Sequence, residues 1–129
     1  NKRIFLIANN FSLAFQLNLD GFYVPAFYKK SVIKFKKNSS IMIGSAHSLK
    51  EIRNKESQGV EQIFLSPIFK TTKSSKYLGL FKFRQLCNLT NIPIIALGGI
   101  NKQNINKIKM TNSSGIASIG YIKKNNKFF

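Results

Sequence analysis

Short apolar runs alternate along this chain with polar stretches of helical spacing. The run that organises the reading is Ile92-Pro93-Ile94-Ile95-Ala96-Leu97-Gly98-Gly99-Ile100-Asn101. Its apolar centre is unbroken from Ile94 to Leu97, which suits a parallel strand covered on both faces. Gly98 and Gly99 then leave bare backbone at the strand end, and Asn101 is an N-cap residue for a following helix. Further strands are expected at residues 3–8, 22–24, 41–44, 62–65 and 115–119. Helices are expected at 11–19, 80–89 and 102–109, and at 49–58 behind the capping box Ser48 to Glu51, with Gly59 as the stop. Residues 27–37 read either as a solvated amphipathic helix or as a membrane-surface helix, and their length and lack of Trp favour the solvated face. Residues 70–79 form a polar loop, long for a strand-to-helix connection.

Strand and helix alternate about every 20–25 residues, the order of a parallel α/β sheet with right-handed crossovers. A doubly wound open sheet and a (β/α)8 barrel both satisfy that order. Six strands are too few to close an ordinary barrel. Neither Gly-x-Gly-x-x-Gly nor a Walker A sequence occurs, so a dinucleotide or P-loop fold gains no support.

Composition changes the picture in one respect. Lys and Arg number 21 against four Asp and Glu, a net charge of +17 over 129 residues. Such a balance suits nucleic acid or an anionic membrane. However, only Arg3, Arg53 and Arg84 are arginine, the lysines spread from Lys2 to Lys127, and no nucleic-acid motif interrupts them. The excess therefore reads as compositional bias, with no specific nucleic-acid partner expected, although a positive field still attracts small phosphorylated molecules. Cys87 stands alone, fits a helix core position and points to a reduced, cytoplasmic setting. No apolar run reaches transmembrane length and no signal peptide is visible, so no membrane partner is expected. The chain begins at Asn1, and its natural start is expected upstream.

In parallel α/β folds chemistry collects at the strand C-terminal ends. Those ends carry Asn9 and Asn10; residues 25–28; Ser45 and His47; Ser66 with Thr71, Thr72 and Lys73; Gly98 and Gly99; and Gly120. Hydroxyls, amides, one His, one Lys and glycine backbone suit a phosphorylated small molecule. Paired carboxylates, a Cys/His metal cluster and a Ser/His/Asp order are all missing. His47 reads either as a structural histidine or as a substrate contact and proton shuttle. Thr71 and Lys73 read either as solvated loop or as phosphate contacts, and Gly98-Gly99 either as a tight turn or as a phosphate cradle.

Taken together, Ile43-Gly44-Ser45-Ala46-His47-Ser48, the stretch from Gly59 to Thr71, Leu78-Gly79-Leu80, residues 92–101 and Gly115-Ile116-Ala117-Ser118-Ile119 resemble the thiamine phosphate synthase and thiazole tautomerase superfamily, a (β/α)8 TIM-barrel group. The resemblance covers almost the whole chain. It implies an incomplete barrel over residues 1–122, with strands 3 to 8 present and strands 1 and 2 missing, and a basic tail over 123–129. Open sheet edges would then favour a homo-oligomer.

The resemblance also implies a thiazole phosphate site. Gly98, Gly99, Ile119 and Gly120 would offer backbone N–H groups to the phosphate, and Thr71 would lie in the loop closing over the substrate. Lys73 falls near the family's second Thr or the Lys after it. Ser45 and His47 would line the pocket, with Ser66 and Asn9 completing the binding set, and His47 and Lys73 are the catalytic candidates. The implied activity is coupling of thiazole phosphate to an aminopyrimidine diphosphate. The alternatives are a tautomerase-like isomerase and a non-catalytic barrel that binds a phosphorylated ligand.

Synthases of this group hold Mg²⁺ and the diphosphate with two Asp residues. Asn9 and Tyr28 stand in those places here, and neither supplies the anionic oxygen that Mg²⁺ favours. Mg²⁺ is thus weakly supported and no metal ligand is assigned. Phe22-Tyr23-Val24-Pro25 lacks the synthase's His and Gly-Gln. Pro25 is closer to the tautomerase branch, but Pro67 stands where that branch carries its acid/base His.

Overall fold

A computed structural model describes residues 4–37 and 40–120. Residue 3 of the first expected strand, positions 38–39 of a loop and the 123–129 tail lie outside the described residues. The strands are β1 (Leu6–Ala8), β2 (Gly21–Val24), β3 (Ile41–Ala46), β4 (Gln62–Leu65), β5 (Ile94–Leu97) and β6 (Gly115–Ala117). The α-helices are α1 (Phe11–Gln16), α2 (Leu49–Ser57) and α3 (Gly79–Asn88). Strand order is β1-β2-β3-β4-β5-β6. That sequential order belongs to a barrel wall and not to a doubly wound sheet, where the order reverses. No helix of the described residues is long and apolar enough to cross a membrane.

The chain divides into two compact units, residues 1–63 and 64–129. In the first, β1 and β2 pair in parallel with Leu6 opposite Gly21, and β2 pairs with β3 with Gly21 opposite Ile41 and Val24 opposite Gly44. A Cβ at Gly21 would overlap the Ile41 carbonyl, so this close strand approach requires glycine. Phe11 of α1 centres an aromatic cluster, with ring centroids 5.1 Å from Phe22, 4.9 Å from Tyr28 and 5.9 Å from Phe35. Aromatic groups at such separations gain from edge-to-face contact as well as from burial.

Residues 27–37 form neither kind of helix expected of them; only Ile33–Phe35 makes a short 3₁₀ turn. The Tyr28 carbonyl accepts hydrogen bonds from Asn54 Nδ2 (3.2 Å), Lys55 Nζ (2.8 Å) and Gln58 Nε2 (3.0 Å), and Gln58 Nε2 also donates to the Lys30 carbonyl (2.7 Å). Carbonyls that a helix would direct to residues four positions on are turned instead to α2. Val32 is fully buried and Phe35 packs on Phe11, which anchors the segment by its apolar residues.

Helix α2 starts as its capping box requires: Ser48 Oγ accepts from the Glu51 N–H. The Glu51 carboxylate reaches back to the His47 N–H at 2.6 Å, one residue before the box's usual partner. Gly59, at φ +74°, follows the C-cap residue Gln58. Lys55 lies on the inner face of α2 with no solvent exposure. Its Nζ donates to the Tyr28 carbonyl and to Gln58 Oε1, both at 2.8 Å, and its stem packs so close to Gly44 that a Cβ there would lie 2.9 Å from Lys55 Cδ.

In the second unit β5 and β6 pair in parallel, with Ile95 opposite Gly115 and Leu97 opposite Ala117. Phe83, Leu86 and Cys87 form the buried face of α3, and Ile94, Ala96, Ile100 and Ile108 are also buried. The helix expected at 102–109 is a turn followed by a 3₁₀ helix, Ile105–Met110. Asn101 Oδ1 accepts from the Gln103 and Asn104 N–H groups, while Asn104 Oδ1 accepts from the Asn101 N–H. These paired asparagine bonds close a tight turn that competes with an α-helical start. Strand β6 stops at Ala117 instead of residue 119, and Ile119 and Gly120 are already helical.

Burial pushes the Lys55 ammonium down from 10.5 to about 8, with Glu51 opposing the shift. Between those values the unfolded chain binds a proton that the folded chain does not, so stability rises with pH. Urea unfolding should therefore show up to about 3 kcal/mol gained between the two pKa values, and Lys55→Met should flatten that slope. An equal slope in both proteins would remove Lys55 as its source.

Candidate functional site

The most constrained chemistry lies where β4 and β5 end in the second unit. The Leu97 carbonyl accepts from the Ile68 N–H (3.0 Å) and the Gly98 carbonyl from the Phe69 N–H (3.1 Å). In a trans peptide the N–H points opposite to the C=O. The Gly98 and Gly99 N–H groups are therefore turned away from residues 68–69, to the side of β5 on which β6 runs.

Both glycines are required. Gly98 sits at φ +97° and Gly99 at φ +70°. A Cβ on Gly98 would lie 2.7 Å from Pro67 Cβ, and one on Gly99 would lie 2.7 Å from the Phe69 carbonyl oxygen and overlap that of Lys70. The Gly99 carbonyl accepts from Asn104 Nδ2 at 2.8 Å, which fixes the next peptide as well. The Ile100 carbonyl accepts from Ser118 Oγ at 3.5 Å, linking this turn to the residue after β6.

Ile119 and Gly120 follow Ser118 directly. Ile119 is exposed and lies in a helical turn, not at the strand end where the sequence reading put it. A Cβ at Gly120 would meet nothing within 4 Å. The turn and the start of this helical segment are thus connected, but only Gly98 and Gly99 are sterically obliged to be glycine.

The loop between β4 and α3 is folded by its own hydroxyls. Thr71 Oγ1 accepts from the Ser74 N–H (3.0 Å), and Ser74 Oγ accepts from the Lys76 N–H (3.2 Å). The Leu78 N–H donates to the Pro67 carbonyl (2.9 Å) and the Gly79 N–H to that of Ile68 (3.0 Å), so the loop returns to the strand end it left. Thr71 therefore organises the loop that carries the exposed Lys73, and Ser66 is half-buried just before it.

Asn9, Ser45 and His47 belong to the first unit. Asn9 sits at φ +63° and is exposed at the end of β1; Asn10 caps α1 by accepting from the Leu13 N–H. Ser45 lies inside β3 and is buried, because that strand runs two residues further than the apolar pattern marked. His47 is exposed just beyond it. The sequence reading missed Lys55 and Asn104. The 101/104 asparagine spacing could have signalled the second; a lysine within a polar helix gives no such signal.

Among the described residues no group of three His, Cys, Asp or Glu could hold a metal ion. All four carboxylates of the chain are engaged within the first unit. Asp20 accepts from the Phe5 N–H (3.0 Å), Glu51 from that of His47, and Glu56 and Glu61 pair with Arg53 (2.7 Å) and Lys36 (2.8 Å).

Sequential parallel strands with a glycine turn at the β5 end define a protein of the (β/α) TIM-barrel type. Comparison with known proteins narrows the class. The family model described as thiamine monophosphate synthase matches residues 1–122. The chain belongs to the thiamine monophosphate synthase family. It is 37% identical to the thiamine-phosphate synthase of Prochlorococcus marinus over 92% of this chain and 36% of the relative. For the thiamine-phosphate synthase of Methanococcus vannielii the figures are 29% identity, 92% and 59%. The solved thiamine phosphate pyrophosphorylase of Pyrococcus furiosus superposes with a TM-score of 0.72 and 26% identity, covering 90% of this chain and 56% of that one. FabK of Thermotoga maritima, at 14% identity and a TM-score of 0.70, covers 92% of this chain and 42% of its own and shares the fold alone. The chain thus spans between about a third and about three-fifths of these relatives' own lengths.

Gly99→Ala should lower stability by about 2 kcal/mol or more, since it adds both positive-φ strain and a backbone clash. Gly120→Ala should stay within about 0.5 kcal/mol. Denaturant unfolding of the two variants checks this, and equal losses would contradict the steric assignment.

Proposed function

We propose that this protein binds a thiazole phosphate at the Gly98–Gly99 turn and couples it to an aminopyrimidine diphosphate, forming thiamine phosphate. The observation that carries the reading is the turn itself: two obligatory glycines whose N–H groups face one side, in a chain of the thiamine monophosphate synthase family. Backbone donors at a strand end suit phosphate oxygens because they are fixed in place and carry positive partial charge.

In the reaction the bond between the pyrimidine methylene carbon and the diphosphate oxygen breaks, and the thiazole nitrogen donates its lone pair to that carbon. The new C–N bond leaves the nitrogen quaternary and moves no proton. Lys73 is accordingly read as a contact, and no acid or base role is given to it or to His47. The backbone turn holds one reactant by its phosphate, which brings the nitrogen and carbon together without loss of orientation. Isomerisation of the thiazole would need an acid/base group instead, and Pro67 stands where the resemblance places one.

Calorimetry of the intact protein with thiazole phosphate and with the dephosphorylated thiazole alcohol tests the reading. The phosphate should bind in the micromolar range and the alcohol at least about tenfold more weakly, the cost of losing charge-assisted bonds. Thiamine phosphate should form when the aminopyrimidine diphosphate is added. Equal affinity for both thiazoles, or no binding of either, overturns it.

A further inference from the structure

We propose that Asn104 is a positioning residue of the phosphate turn, its side-chain amide preventing the Gly99–Ile100 peptide from turning its carbonyl to a bound phosphate. The proposal rests on the coupling reading and deepens it, because it concerns how the anionic end of the thiazole phosphate is held.

Three consecutive carbonyls of the turn are each held by a donor. Those of Leu97 and Gly98 accept from the Ile68 and Phe69 N–H groups, at 3.0 and 3.1 Å. That of Gly99 accepts from Asn104 Nδ2 at 2.8 Å. The first two donors are backbone, which no substitution removes. The third is a side chain. It acts on the peptide that is easiest to turn, because Gly99 has no Cβ to resist rotation beside it. A peptide is positive at its N–H end and negative at its C=O end. Turned half round, the Gly99–Ile100 peptide would present its oxygen where its N–H now stands, next to the Gly99 N–H. An oxygen there repels the anion that the N–H groups attract.

The Asn104 amide is itself held in one orientation. Its Oδ1 accepts from the Asn101 N–H at 2.8 Å, so a reversed amide would lose this bond and the one to Gly99 together. Asn101 Oδ1 takes the Gln103 and Asn104 N–H groups at 2.9 and 3.2 Å. The N–H groups of residues 101, 103 and 104 are thus each directed at a side-chain oxygen, where a helix start would have offered them to an anion. Anion binding is left to the peptides of the turn, and the orientation of each one matters more. An amide suits position 104 because it donates and accepts at once; a carboxylate only accepts, and alanine does neither.

The test is calorimetry of the intact protein with thiazole phosphate, with the thiazole alcohol and with inorganic phosphate. It uses wild type, the uncharged variants Asn104→Ala and Asn104→Ser, and Asn104→Asp, which keeps the acceptor for Asn101 and loses the donor to Gly99. Thermal unfolding shows which variants are folded. Affinity for thiazole phosphate should fall about tenfold or more in every folded variant, while that for the alcohol stays within about twofold. Equal losses for phosphate and alcohol would give Asn104 a merely structural role and overturn the proposal. Unchanged phosphate affinity overturns it too, as does a loss confined to Asn104→Asp, which would be charge repulsion. If wild type binds inorganic phosphate but not thiazole phosphate, and the variants lose the inorganic ion, the coupling reading falls and the role of Asn104 stands. If wild type binds neither anion, both fall.

Discussion

Backbone packed on backbone, with the Pro67 ring as the one side chain at the contact, sets the geometry of the second unit. The carbonyls of Leu97 and Gly98 are held by the N–H groups of Ile68 and Phe69, and Pro67, Phe69 and Lys70 fill the space where side chains on residues 98 and 99 would go. Much follows from this contact. The chain leaving β4 must run along the end of β5 before it can turn, so the long loop begins on the glycine turn and not in open solvent. The same contact turns two peptide N–H groups to the opposite side. A single steric requirement, the absence of Cβ, thus fixes both the loop's origin and the direction of the donors.

The first unit solves a comparable problem with side chains. The segment after β2 is irregular and needs partners for its carbonyls. Asn54, Lys55 and Gln58 converge on Tyr28 O, and Gln58 reaches Lys30 O as well. Burying an ammonium is costly unless it is well bonded. Lys55 has two acceptors at 2.8 Å, and its lowered pKa records the part of the cost that those bonds do not offset. The aromatic cluster around Phe11 closes the other side of the segment, so residues 28–35 are held by polar bonds at one point and by ring contacts at another.

Local physics decided which features were legible in the sequence. Short apolar runs bounded by turn residues mark the strands, which is why β2 to β5 stand close to their expected positions, although β5 alternates buried and half-buried residues instead of being covered on both faces. Helix α2 carries its own start and stop in Ser48, Glu51 and Gly59. The 27–37 segment has helical spacing but is decided by Asn54, Lys55 and Gln58, residues distant in sequence, and no local pattern contains them. Residues 101–104 failed for the opposite reason: the asparagines satisfy the backbone among themselves, and the turn they make precedes any α-helix. At the site, Gly98 and Gly99 were legible as backbone that must lack side chains. Ser45 and Ile119 were displaced because β3 runs longer and β6 shorter than their apolar runs suggest, and a shift of one residue turns a side chain to the other face.

The net charge shows how a composition can mislead when it is not divided along the chain. A value of +17 spread over lysines looks like bias, and for residues 1–63 that description holds: ten basic residues stand beside all four acids, each acid bonded to a backbone amide or a cation. Beyond residue 63 the sequence carries eleven basic residues and no Asp or Glu. Bias toward lysine would raise the number of cations everywhere without removing every acid from one half. The half without acids is also the one that presents peptide N–H groups at an obligatory glycine turn. Fixed N–H dipoles and ammonium groups attract the same class of ligand, and a carboxylate among them would repel it.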